Sequence, residues 1–246
     1  MPILSKVPTV ILLHAPREDD PYEAAFREAG YAPESVPVLR FERVGQAALR
    51  EALARPGAYD GLVVTSPRAA EVLREALEQQ TESGAAWTDE LAFAVGPRTA
   101  EMLREVGFAP EGEESGGAEQ LAERIARKSF GKPLLFLCGN RRRGALPDRL
   151  AEQNISLDER CVYETHLRDD LRLPDDARWL VFFSPSGVEA VRRASVDLGE
   201  VRCAALGPTT AGALREAGWP VAAVASEPTP EALVAAVRQA APLGEQ

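Results

Sequence analysis

The sequence predicts an α/β protein built from two similar parallel-sheet lobes, and three observations carry that prediction. Short apolar runs alternate with helical patterns along the whole chain. The second half repeats the order of the first. Proline and glycine punctuate the two halves at matching places. Strands of parallel sheets are covered on both faces, so they read as continuous apolar runs rather than as alternating ones.

Val7–Leu13 is the first such run. It is too short to cross a membrane and lacks a small-residue cleavage site, so it reads as a strand of a cytoplasmic protein. Tyr22–Ala29 follows as a helix with Tyr22, Phe26 and Ala29 on one face and Gly30 as its stop. Gly61–Thr65 is a strand, after which Ser66 can cap a helix that has Pro67 at its first position. Leu91–Val95 is a strand that Gly96-Pro97 turns into the helix Arg98–Val106, ended by Gly107. The stretch Glu111–Gly117 is acidic and glycine-rich and is expected to be mobile. Pro133–Leu137 is a strand, followed by Cys138-Gly139-Asn140 and a helix near Ala145–Gln153. Trp179–Phe183 is a strand, with Ser184-Pro185 opening the helix Ser186–Ala194. Cys203–Leu206, Gly207-Pro208, the helix Thr209–Ala217 and Gly218 repeat the earlier grammar, and Thr229-Pro230 starts a last helix, Glu231–Ala240.

The repeat is the most informative feature. Ala94 to Phe108 aligns without a gap on Ala205 to Trp219, and Thr65-Ser66-Pro67 on Phe183-Ser184-Pro185. A weaker echo joins Val7–Phe41 to Lys132–Thr165. The two extended runs, 36–41 and 160–167, lie where the chain would cross between lobes, and they could pair as a two-strand β linker. The expected division is a discontinuous domain of residues 1–36 and 168–246 and a continuous domain of 42–162, with a cleft between them. Each lobe would be layered like a flavodoxin or Rossmann sheet; a plain tandem of two lobes is the alternative.

The formal charge of −10 excludes a phosphate-backbone binder as the ordinary reading, because such proteins present a basic face. Cys138, Cys161 and Cys203 form no CxxC or metal-ligand cluster and read as reduced core thiols. No phosphate loop, GxGxxG or GxSxG elbow occurs, so no metal and no cofactor is indicated. His14 and His166 stand beside no sequence-visible nucleophile.

In open parallel sheets ligands bind at the carboxyl ends of strands, against helix N-termini. Here those ends carry Thr65, Ser66 and Arg68; Thr99; Gly139, Asn140 and Arg141; Ser184 and Ser186; and Thr209 and Thr210. Hydroxyls and unpaired backbone N–H groups gathered at dipole ends suit a ligand with several carboxylates or phosphates. Taken singly, a Ser-Pro pair is an N-cap and a Gly-Pro pair a tight turn; recurrence in both lobes is what raises them above that. Arg141-Arg142-Arg143 could meet carboxylates but, as a lone charge run, reads as a solvated surface. Tyr163 sits in a crossing run, where it either faces a ligand or packs as a β-preferring aromatic.

Thr65-Ser66-Pro67-Arg68-Ala69, Leu134 to Asn140, Phe182 to Gly187, Leu206 to Ala211, Arg17 to Tyr22, Pro37 to Glu42 and Ser226 to Pro230, taken in order, resemble the uroporphyrinogen-III synthase family, and most closely its animal branch. The resemblance implies a lyase of heme biosynthesis. Such an enzyme cyclises hydroxymethylbilane to uroporphyrinogen III, losing water and inverting ring D, without a cofactor. It implies a cytoplasmic monomer, with substrate possible by hand-over from hydroxymethylbilane synthase. It also implies that Tyr163 assists hydroxyl departure and that Ser66, Thr99, Ser184 and Thr210 face the ligand. Arg98 and His14 depart from the family pattern. A non-catalytic two-lobed polyanion sensor uses the same features and is the alternative; a glycosyl or phosphoryl transferase would need the phosphate loop or carboxylate pair that the sequence lacks.

Overall fold

The computed structural model describes residues 7–79, 87, 90–141 and 144–241, so Arg142, Arg143 and the outermost ends of the chain lie outside the described residues. Along the chain the elements run β1 (Thr9–Leu13), α1 (Pro21–Glu28), β2 (Ala32–Ser35), β3 (Leu39–Arg43), α2 (Gln46–Leu53), β4 (Leu62–Val64) and α3 (Pro67–Glu78). There follow β5 (Ala92–Ala94), α4 (Pro97–Glu105), β6 (Pro110–Glu111), α5 (Ala118–Ile125), β7 (Leu134–Gly139), α6 (Ala145–Glu152) and β8 (Leu157–Leu167). The chain ends with β9 (Ala177–Phe182), α7 (Pro185–Arg193), β10 (Arg202–Ala205), α8 (Pro208–Glu216), β11 (Val221–Val224) and α9 (Pro230–Ala240). Six of these helices carry proline in their first turn, where the missing N–H costs no hydrogen bond and the fixed φ is already helical.

The chain divides into two compact units, one formed by Met1–Arg40 with His166–Gln246 and the other by Phe41–Thr165. The first unit holds a five-stranded sheet in the order β11-β10-β9-β1-β2, its described pairings parallel. Strand alternation sends Val10 and Leu12 of β1 to one face, where they pack with Phe26 of α1 and Leu233 and Val237 of α9. Ile11 and Leu13 go to the other face, with Val188 and Val191 of α7 and Leu214 of α8. Deleting one such ring, as in Phe26→Ala, costs about 3–5 kcal/mol.

The second unit holds a six-stranded sheet, β3-β8-β7-β4-β5-β6. Leu62 and Val64 of β4 face Leu73 of α3 and Leu103 of α4, while Val63 faces Leu121 and Ile125 of α5 and Leu146 and Leu150 of α6. β7 is buried along its whole length, as the central strand of a sheet covered on both sides should be. Its edge strand β3 runs antiparallel to β8: Val44 N donates to Val162 O, and Arg168 N donates to Val38 O, so partner numbers fall as chain numbers rise.

The parallel α/β class predicted from the apolar runs is the observed one. Three details differ. β2, β6 and β11 are short edge strands outside the runs read above: β2 and β6 lack an apolar run, β11 is the short run Val221–Val224, and β2 tolerates Pro33 because an edge can leave one N–H out of the ladder. The acidic stretch that begins in β6 carries ion pairs the sequence does not announce: Glu113 pairs with Arg104 at 2.8 Å, Glu114 with Arg124 at 3.0 Å, and Glu111 with Lys128 at 2.8 Å. Cys161 is exposed, not a core thiol: it lies midway along β8, the strand next to the edge strand β3, rather than in the centre of the sheet.

Candidate functional site

In the second unit the carboxyl ends of β4, β5 and β7 meet the N-termini of α3 and α4. Ser66 caps α3 with its hydroxyl, accepting from Ala69 N at 3.2 Å, and Thr65 beside it is half-buried. Arg68 is exposed, and its guanidinium lies 3.4 Å from the centre of the Phe41 ring. Phe41 itself is 42% exposed, unusual for a large aromatic, so the stacked pair offers a flat apolar face beside a fixed positive charge. Arg43 is held by Glu75 at 2.6 Å. With Glu71 and Tyr163 these groups line a cavity of about 450 Å³.

Tyr163 is half-buried and crosses directly over Gly139. The backbone around it is pinned: Asn140 N donates to Tyr163 O at 3.2 Å, and Thr165 N donates to the Asn140 side-chain oxygen at 2.9 Å. Gly139 is buried, while Asn140 and Arg141 are exposed past the strand end. Thr99 is 2% exposed in the first turn of α4, whose cap is Gly96.

The first unit carries an edge of the same kind. Ser184 occupies the cap position of α7 yet makes no capping bond; its hydroxyl is 2.8 Å from that of Ser186. Thr209 is exposed. Thr210 does not cap α8: Gly207 is the cap residue, and Thr210 is a first-turn residue that is 4% exposed. The gap-free repeat makes Thr210 the counterpart of Thr99: each is the third residue of its helix, past the cap position. Among the described residues the only buried polar or charged side chains are Asp20, Thr99 and Thr210, all at helix N-termini on the ligand-binding edge of a parallel sheet.

Sequence reasoning missed a cluster at the end of β1. His14 Nδ1 lies 3.5 Å from Asp20 Oδ2, and its Nε2 lies 3.3 Å from Ser35 Oγ. Ser35 donates to Glu23 Oε1 at 2.6 Å, and the His14 ring lies 4.4 Å from that of Phe183. Burial draws the His14 imidazole below its ordinary value; Arg17 adds to that pull, while Asp20 and then Glu23 oppose it. The signal was available in Asp19-Asp20-Pro21, a cap sequence just after a strand-end histidine, but the closing partner Ser35 comes from a strand with no apolar run.

A cavity of about 690 Å³ is lined by Arg178, Leu198 and Val201 and opens where β9 and β10 begin, at the end of the first unit's sheet away from Ser184, Ser186, Thr209 and Thr210. It is open and mixed in charge, and strand starts lack the helix N-termini that would bind anions. Among the described residues no cluster of acidic, histidine or cysteine side chains could hold a metal, and no helix is long and apolar enough to cross a membrane.

The profile of the family described as uroporphyrinogen-III synthase HemD matches residues 20–235. A uroporphyrinogen-III synthase of Schizosaccharomyces pombe is 33% identical over 89% of this chain and 91% of its own length. That of Saccharomyces cerevisiae is 28% identical over 94% of this chain and 96% of its own length. In fold, the chain is similar to the crystal structure of the Helicobacter pylori synthetase, with TM-score 0.58 and 20% identity, covering 95% of this chain and 99% of the other. A mutant Thermus thermophilus synthase is similar at TM-score 0.55 and 20% identity, covering 95% and 98%.

Proposed function

The chain belongs to the uroporphyrinogen-III synthase family, and from that premise we propose that it cyclises hydroxymethylbilane to uroporphyrinogen III as a lyase, with loss of water and inversion of ring D. One observation supports this reading most: hydroxyls and the backbone N–H groups of helix N-termini gather at the strand ends of each unit, joined in the second unit by Arg68. The substrate carries acetate and propionate on every pyrrole, so it needs anion contacts in number. Its ring closure is intrinsically easy, so the catalyst has chiefly to hold a conformation and stabilise charge.

In this reading Ser66, Ser184, Ser186 and Thr209 bind carboxylates, together with the N–H groups and dipoles of α3, α7 and α8. Arg68, fixed over Phe41, supplies a full positive charge, and Thr65, Asn140 and Arg141 extend the polar edge. Thr99 and Thr210 shape the first turns from below. Tyr163 donates to the hydroxyl leaving the ring A carbon, easing formation of the electrophilic azafulvene. The substituted carbon of ring D then attacks, and the resulting spiro centre fragments and recloses at the other position. We place the reaction in the cytosol, in a monomer that can receive its substrate from hydroxymethylbilane synthase.

The test is direct. The protein is incubated with freshly prepared hydroxymethylbilane, the product is oxidised, and the isomers are separated. Type III product is expected; type I product alone, the outcome of spontaneous closure, would reduce the protein to a tetrapyrrole binder.

A further inference from the structure

β7 and β8 set two thiols side by side. Cys138 and Cys161 are register partners in neighbouring parallel strands. Such strands lie about 4.7–4.9 Å apart, inside the range of about 4.4–6.8 Å spanned by the Cα atoms of a disulfide. The two side chains share a face of the sheet. Cys138 packs with Leu134 and Phe136 towards α5 and α6, whereas Val162 packs on the opposite side, so alternation along β8 turns Cys161 to the side of Cys138. Both line one cavity of about 390 Å³ with Gly139, Asn140 and Glu159. Cys161 is exposed at its mouth and Cys138 is buried at 5%.

We propose that Cys138 and Cys161 form an oxidation site that hydrogen peroxide converts to an intrachain disulfide. The accessible Cys161 thiolate attacks a peroxide oxygen, breaking the O–O bond; it becomes a sulfenic acid, and hydroxide leaves and is protonated to water. The Cys138 sulfur then attacks the sulfenic sulfur, forming the S–S bond and releasing the second water, while its own proton goes to the leaving hydroxide. Two thiols are oxidised and one peroxide is reduced. Cys203 provides an internal reference: burial pushes its thiol up to about 11, so it stays protonated and unreactive under the same conditions.

The site is joined to the one described above. Gly139 follows Cys138 directly, the register between β7 and β8 shifts at that step, and Asn140 N donates to Tyr163 O. A new bond at Cys138 therefore pulls on the backbone under the Tyr163 ring. A drop in turnover on oxidation rests on the functional reading given above; the covalent bond itself does not.

The reduced protein is treated with a few equivalents of hydrogen peroxide at about pH 8.5, where an ordinary thiol is half ionised. Remaining thiols are alkylated under denaturing conditions, and the protein is digested without reductant for mass spectrometry. The expected result is a peptide pair linked through Cys138 and Cys161, two hydrogens lighter than the separate peptides, with Cys203 alkylated. Dithiothreitol reverses the link, and Cys161→Ser, a change at an exposed position, abolishes it. Sulfinic acid on Cys161 with Cys138 alkylated, or a dimer linked through Cys161 alone, overturns the site. In parallel, type III formation is expected to fall several-fold in the oxidised wild type and to hold in peroxide-treated Cys161→Ser. A link formed with turnover unchanged overturns the coupling to Tyr163. Absence of type III product from the reduced protein counts against the functional reading and leaves the peptide result standing.

Discussion

The Tyr163 ring occupies the space that a side chain at position 139 would need: a Cβ built on Gly139 would fall 2.8 Å from the Tyr163 hydroxyl oxygen and closer still to its ring. The glycine is thus required by its neighbour, not by its own backbone angle. Gly139→Ala is expected to expel the ring from this seat. Overpacking of this kind costs about 1–3 kcal/mol, and turnover should fall as far as in a variant that lacks the phenol. Thermal melts with the isomer assay check both; a fully active, fully stable alanine variant would show that the ring has another place to go.

Tyr163→Phe keeps the packing and removes only the donor. General-acid assistance is worth about 10²–10⁴-fold, and the low end or less is expected here because the substrate ionises readily. Turnover should drop while the melting temperature holds and the product stays type III. Unchanged turnover would make Tyr163 a packing residue and leave catalysis to conformational control.

Ser66 and Ser184 are repeat counterparts with different bonds, and this separates capping from ligand binding. Ser66→Ala removes a real cap, so it should cost about 1 kcal/mol of stability. Ser184→Ala removes no cap, so its stability should move by less than about 0.5 kcal/mol. If the Ser184 hydroxyl meets a substrate carboxylate, KM should rise about tenfold, the worth of one hydrogen bond to a charged group. Denaturant titration of both variants beside steady-state kinetics distinguishes the two roles.

His14 makes the first unit sensitive to acid. A base whose folded pKa lies below the unfolded value of about 6.5 is neutral in the fold at pH values where the unfolded chain is already charged. Its contribution to stability is whole above about pH 6.5 and is lost as pH falls from there through the folded value. The wild type should therefore lose more melting temperature between pH 7.5 and 5.5 than His14→Gln does. With only two histidines in the chain, NMR titration of the ring protons reads the His14 pKa directly. A midpoint above 6.5 would reverse the sign.

Legibility followed burial. Runs such as Leu134–Leu137 and Trp179–Phe182 announce central strands because both faces are covered, and Gly-Pro or Ser-Pro pairs mark where α3, α4, α7 and α8 begin. Edge strands such as Ala32–Ser35 escape notice because half of each faces solvent. At the candidate site, residue identity was readable but depth was not. Thr210 and Ser184 look alike in the sequence as hydroxyls near a helix start; one is buried below the first turn and the other lies at its rim, and only the helix phase set by Gly207 and Pro208 decides which. The His14 cluster was hidden because it draws on four separate short segments, each ordinary in itself.

The placement of β1 between β2 and β9 has a consequence for synthesis. β1 leaves the ribosome well before its neighbour Ala177–Phe182, which follows only after the whole of Phe41–Thr165 has been made. At the usual elongation rates that interval is roughly ten to thirty seconds, ample time for the second unit, whose strands are contiguous in the chain, to fold alone. Meanwhile Val10-Ile11-Leu12-Leu13 waits as an apolar strand with one long side unpaired, the kind of segment that chaperones bind and that aggregates seek. The nascent chain, more than the finished molecule, is where a destabilising substitution in β9 should do its damage, by prolonging the wait of a strand that was made first and is completed last.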